Sequence, residues 1–114
     1  MSEARLNSAV LTSALSRRAE QLGGFAAVLA KGDPTSGHVL IQLLEKGRIS
    51  GLFERLLTAS GAYAWARTGP QDIEKRDVFE DYLERRRLRD PDLWIIELDV
   101  PDVERFVADS LSGA

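Results

Sequence analysis

The 114-residue sequence contains no cysteine, a single histidine and a single methionine. Without cysteine there is no disulfide framework, no thiol nucleophile and no thiolate-held zinc. One histidine, His38, rules out most imidazole-based metal sites within one chain, while carboxylate sites for hard cations stay open. Positive charge is also in short supply: 15 Lys and Arg face 18 Asp and Glu, for a net charge of −3. Phosphate contacts supply most of the affinity of nucleic-acid binders, so an acidic chain is a poor candidate for that class. No apolar run approaches the length of a bilayer crossing. Met1 to Leu22 carries Glu3, Arg5, Arg17, Arg18 and Glu20 and lacks the apolar core of a secretion signal, so the expected address is the cytoplasm.

What is present suits a folded domain. The apolar share is 44% and the charged share 29%, both near globular averages. The length allows one core, and the expectation is a single globular domain over residues 1–114. Nothing in the sequence calls for a cofactor.

Hydrophobic periodicity orders the chain. From Asn7, a capping residue, Val10, Leu11, Ala14, Leu15, Ala19 and Leu22 recur at helical spacing, and Gly23-Gly24 ends the run. Phe25 to Lys31 reads as a short buried strand, and the turn formers Gly32 to Gly37 join it as a hairpin to a second strand, His38 to Glu45. Lys46-Gly47-Arg48 and Ser60-Gly61 punctuate two more strands, Ile49 to Thr58 and Ala62 to Arg67. Four successive strands with short turns predict an antiparallel meander. Thr68-Gly69-Pro70-Gln71 has the form of a capping box for a second helix reaching Arg89, with Ile73, Val78, Phe79, Tyr82 and Leu83 as its apolar stripe. Leu93 to Leu98, apolar on both faces, predicts a central strand. Pro101 to Leu111 closes as a short helix on Val103, Phe106, Val107 and Leu111. The expected fold class is α+β: a mainly antiparallel sheet of four to five strands, two long helices and a short C-terminal one.

Candidate functional residues are few. Arg85, Arg86, Arg87 and Arg89 crowd a helix end and could hold phosphate or carboxylate, although Asp81 and Glu84 stand at pairing distance along the same helix. Asp90 and Asp92 flank a proline, where carboxylates either bind a cation or shape a turn. Trp94 is expected in the core with an acceptor for its indole N–H. Glu97 interrupts an apolar strand and needs a partner, which Arg17 or Arg18 could supply. His38 reads as a strand-end residue, with no Gly-x-Ser-x-Gly and no second histidine to make a triad.

Ser13-Ala14-Leu15 with Arg17-Arg18, Gly23 to Val28 with Lys31-Gly32-Asp33, and Asp90-Pro91-Asp92-Leu93-Trp94-Ile95-Ile96-Glu97 resemble domain of unknown function 1491, a family found mainly in alphaproteobacteria. The resemblance spans about Leu6 to Asp99; Leu44 to Arg76 is generic, and Pro101 onward is expected to be peculiar to this member. It implies a free-standing cytoplasmic bacterial protein with an α+β fold, and brings no activity. It suggests that Arg17, Arg18, Asp90, Asp92, Trp94 and Glu97 meet where the first helix packs on the last strand. The leading functional expectation is a non-enzymatic interaction module, with a protein partner or a homodimer, using the arginine-rich helix end beside Trp94. The sheet edge at Ala62 to Arg67 is one expected dimer contact. The alternative is a small-molecule or divalent-cation binding protein or small enzyme using Asp90, Asp92 and Glu97. Nucleic-acid binding through Arg85 to Arg89 ranks last.

Overall fold

The computed structural model of the chain describes residues 7–71 and 74–111. Helix α1 (Ser8–Gln21) starts as expected: the Asn7 side chain accepts from the Val10 N–H at 2.9 Å. It ends at Gly23, whose φ of +89° is the left-handed turn glycine adopts freely. Its buried face is Leu11, Leu15 and Ala19 with the polar Ser8 and Thr12, whereas Val10, Ala14 and Leu22 of the expected stripe are exposed. Thr12 tolerates burial because its hydroxyl donates to the Ser8 carbonyl at 2.9 Å.

Among the described residues, five strands form one sheet: β1 (Phe25–Ala30), β2 (Val39–Glu45), β3 (Arg48–Leu57), β4 (Tyr63–Thr68) and β5 (Trp94–Val100). The spatial order is β1-β5-β2-β3-β4. β5 runs antiparallel to β1 and parallel to β2, while β2-β3 and β3-β4 are antiparallel hairpins. The β2-β3 turn is Lys46-Gly47, both at positive φ (50° and 86°), the geometry that matches strand twist.

Two expectations about strands are corrected here. β1 and β2 are not a hairpin, because β5 lies between them, so the meander is confined to β2-β3-β4. β1 is not buried either: as an edge strand it leaves Phe25, Val28 and Leu29 exposed, and only Ala26 and Ala30 pack against the cores. β5 is the central strand its two apolar faces predicted. A central position buries both faces at once, which the weaker β1 sequence does not require.

Helices cover both faces of the sheet. α1 lies on the side of Val39, Ile41, Leu43, Trp94, Ile96 and Leu98. The same side receives α3 (Val103–Phe106) and the wide turn Val107–Leu111, through Val103, Phe106 and Leu111. Helix α2 (Arg76–Arg89) covers the opposite side, with Phe79 and Leu83 on Leu40, Leu44, Leu52 and Ile95. Burying Phe79 alone contributes roughly 2–3 kcal/mol. Val78 of the expected stripe is exposed, and Ile73 lies outside the described residues.

The expected capping box is also corrected. Thr68 is the last residue of β4, opposite Leu52, and α2 begins after Lys75, which makes no side-chain cap bond. Thr68 is β-branched and pairs with Leu52 across the sheet, so the strand keeps it.

Candidate functional site

The groove between β3 and α2 is built around one carboxylate. Glu54 opposes Leu40 on β2 and Ala66 on β4, which directs it to the α2 side of the sheet. There it is 8% exposed. A buried carboxylate needs compensation. Arg86 reaches down from α2 and grips it with two parallel bonds, Nη1 to Oε1 at 3.0 Å and Nη2 to Oε2 at 2.8 Å. His38, just before β2, places Nε2 3.2 Å from Oε2. Arg86 Nη1 also donates to the Tyr82 hydroxyl at 2.9 Å. Burial pushes the Glu54 carboxyl up, but the Arg86 bonds and charge, with His38 and Thr68, outweigh it and hold the group below the ordinary carboxylate range. The Glu54 bond in turn holds Arg86 protonated above its ordinary value, against its own burial.

Around this floor lies an open cavity of about 650 Å³, lined by His38, Glu54, Tyr82, Arg85, Arg86, Arg89 and Asp90. Arg85 and Arg89 are exposed, one helical turn apart, and among the described residues neither enters an ion pair. A carboxylate-held imidazole is half of a hydrolytic relay, but no serine, threonine, cysteine or lysine lines the cavity. The arrangement presents cations over a rigid, internally neutralised base.

Of the residues weighed in the sequence, Arg85, Arg86, Arg89 and Asp90 gather in this groove, with His38, which was read as a strand-end residue. Arg87 turns away and pairs with Glu84 at 3.0 Å, the local pairing its spacing suggested. Asp90 shapes the turn, accepting from the Asp92 N–H at 3.1 Å. Trp94 is 5% exposed on the α1 side, and its indole N–H donates to the Asp33 carbonyl at 2.7 Å. Glu97 accepts from Gln42 Nε2 at 3.1 Å. It opposes Gln42 across a parallel pair whose flanking residues Ile96 and Leu98 face α1, so it points to the other side from Arg17 and Arg18. The expected meeting of Arg17, Arg18 and Glu97 is therefore corrected: a one-residue step along a strand changes the face. Glu97 lies within β5 while Asp90 and Asp92 belong to the turn before it. Among the described residues no group of three or more His, Asp or Glu side chains has metal-holding geometry.

Glu54, His38 and Tyr82 were not singled out as a site. A usable signal was present: Glu54 interrupts the apolar run of β3 just as Glu97 interrupts that of β5.

The family-like segments do come together, but through backbone. The Asp33 N–H donates to the Asp92 carbonyl at 3.0 Å, and the Trp94 N–H to the His38 carbonyl at 2.8 Å. A side chain at Gly32 or Gly37 would strike that Asp92 oxygen, at 2.1 and 2.3 Å. The α1 start is tied in by the Ala9 N–H to the Pro34 carbonyl at 2.9 Å, and by the Ser8 hydroxyl to the Gly37 carbonyl. Asp33 holds the loop, accepting from the Ser36 N–H at 2.8 Å; that bond, with the Ser36 hydroxyl, keeps its carboxyl below the ordinary range.

No helix among the described residues is long and apolar enough to cross a membrane. No curated protein matches the chain. A crystal structure of a DUF1491 family protein from Caulobacter crescentus CB15 is similar at 33% identity, covering 85% of this chain and 90% of that one, with a TM-score of 0.74. An NMR structure of a DUF1491 family protein from the same organism gives 32% identity, 86% and 88% coverage, and 0.74. The solution structure of protein Atu0922 from A. tumefaciens gives 28% identity, 86% and 88% coverage, and 0.65. The family described as "Protein of unknown function (DUF1491)" matches residues 6–108, running past Pro101 into the C-terminal helix that was expected to be peculiar to this chain. With the sheet, the backbone clasp and this match in agreement, the chain belongs to the DUF1491 family.

Proposed function

We propose that the chain is a cytoplasmic, non-enzymatic interaction module that takes an acidic segment of a partner protein across the groove between β3 and α2. The observation that carries this reading is the division of labour among the arginines. Arg86 is consumed by Glu54, whereas Arg85 and Arg89 stand exposed on the same helical face above it. Guanidinium groups meet carboxylates in a two-bond fork, and a rigid floor lowers the entropy lost on binding. The open shape of the groove suits an extended chain better than an enclosed small molecule.

The test is fluorescence anisotropy with a labelled, glutamate-rich peptide as probe. Arg85→Ala with Arg89→Ala is expected to weaken binding at least tenfold while leaving Tm nearly unchanged. Arg17→Ala with Arg18→Ala, on the other side of the sheet, is expected to leave binding intact. Equal loss from both pairs would reduce the effect to net charge and overturn the reading. Arg86 is unsuited to this test, because its removal strips Glu54 of its partner.

A further inference from the structure

β1 is an exposed edge of the sheet. Sheet edges are ordinarily blunted by lysine, proline or inward charges, because their unpaired N–H and C=O groups template another strand. Phe25–Ala30 contains none of these and is interrupted only by the bulge at Leu29, and no charged residue occurs from Leu22 to Ala30 in a chain that is 29% charged. Phe25 is 74% exposed, Val28 55% and Leu29 47%. The opposite edge, β4, differs: Arg67 sits within it, reaching the Ser50 carbonyl at 3.2 Å and lying 4.8 Å over the Phe53 ring.

We propose that β1 pairs antiparallel with β1 of a second copy of this chain, joining two five-stranded sheets into one across a two-fold axis through Ala27. The six residues of β1 carry no charge to pair with a charged peptide, Lys31 and Arg87 lying beyond the strand around the cavity of Leu29. The strand also complements itself. An axis at Ala27 sets Ala26 against the partner's Val28 on one face, and Phe25 against the partner's Leu29 on the other, twice by symmetry. Ala27 is small enough for its own copy to approach. The bulge at Leu29, where Val28 and Ala30 pair with the adjacent residues Ile96 and Ile95, is the last position of the paired segment and closes it. Leu88, 72% exposed, lines one cavity with Leu29 and extends the apolar strip onto α2. Together these groups bury roughly 1,000 Å² in total, the lower end of specific interfaces, so the dimer is weak and concentration-dependent.

The experiment is sedimentation equilibrium on the whole chain from micromolar to about 1 mM, where an interface of this size associates. Wild type is expected to shift from monomer to dimer, and Phe25→Lys or Leu29→Lys to raise the dissociation constant at least tenfold. Both positions are exposed in the monomer, so folding is retained, which circular dichroism checks. The absence of natural cysteine gives a second readout. Facing Cα atoms in an antiparallel pair lie about 4.5–5.5 Å apart, within disulfide reach. Ala27→Cys is therefore expected to crosslink as a covalent dimer under mild oxidation, and Ala66→Cys on β4 is not. A chain that stays monomeric to about 1 mM overturns the proposal. So does a dimer that the lysine variants leave unchanged, or one in which Ala27→Cys fails to crosslink.

Discussion

Glu54 draws together two guanidinium bonds and one imidazole contact on the α2 side. Glu54→Gln keeps the shape but leaves Arg86 without its counter-charge, and is expected to cost about 2 kcal/mol in urea unfolding at pH 7. The folded carboxyl sits below its unfolded value, so this contribution is complete above the ordinary carboxylate range, about pH 4.3. It is lost as pH falls through the depressed folded value. The stability gap between wild type and Glu54→Gln should therefore narrow below about pH 4. A gap that stayed constant to pH 3 would mean that the pair is not ionic. The sequence carried the roles of Trp94 and of the Glu84–Arg87 pair, because a buried indole must find an acceptor and a helix fixes its own neighbours. It did not carry the Glu54–Arg86 pair, whose members are 32 positions apart. Only the crossing of α2 over β3 brings them together.

At the scale of elements, local signals succeeded where the interaction they encode is local. The Asn7 cap, the Gly23 stop and the Lys46-Gly47 turn are each settled within a few residues. Thr68-Gly69-Pro70-Gln71 had the same local form as a helix start, yet pairing with Leu52 kept Thr68 in the sheet. Helix α2 consequently begins at Lys75 without a side chain of capping type, and with Asp77 in its first turn. Lys75→Asp supplies both a cap oxygen and a charge that complements the helix dipole. It is expected to raise stability by about 0.5–1 kcal/mol, read as a Tm increase of a few degrees. An unchanged Tm would show that the start of α2 is already satisfied by other contacts.

Across the whole molecule, the last strand among the described residues occupies an interior place in the sheet, second from its β1 edge. Its two apolar faces announced a central position, but not which neighbours it would take. Strand pairing is a long-range choice, and several orders bury the same side chains. The consequence is that β1 waits for β5: β1 pairs only with that strand among the described residues, and β2 relies on it for one of its two edges. Trp94, Ile96, Leu98 and Val100 enter the α1-side core and Ile95 the α2-side core. At roughly 1.5–3 kcal/mol each, these five side chains rival the whole net stability of an ordinary domain, about 5–15 kcal/mol. A fragment ending at Arg89 keeps all the local signals of α1, the β2-β3-β4 meander and α2, and lacks β5, which joins their cores, together with α3 and the turn Val107–Leu111 that pack on the α1 side. It is expected to show no cooperative thermal transition by circular dichroism. A cooperative melt from that fragment would instead mean that the meander and α2 form a folding unit of their own, with β1 and β5 added to its edge.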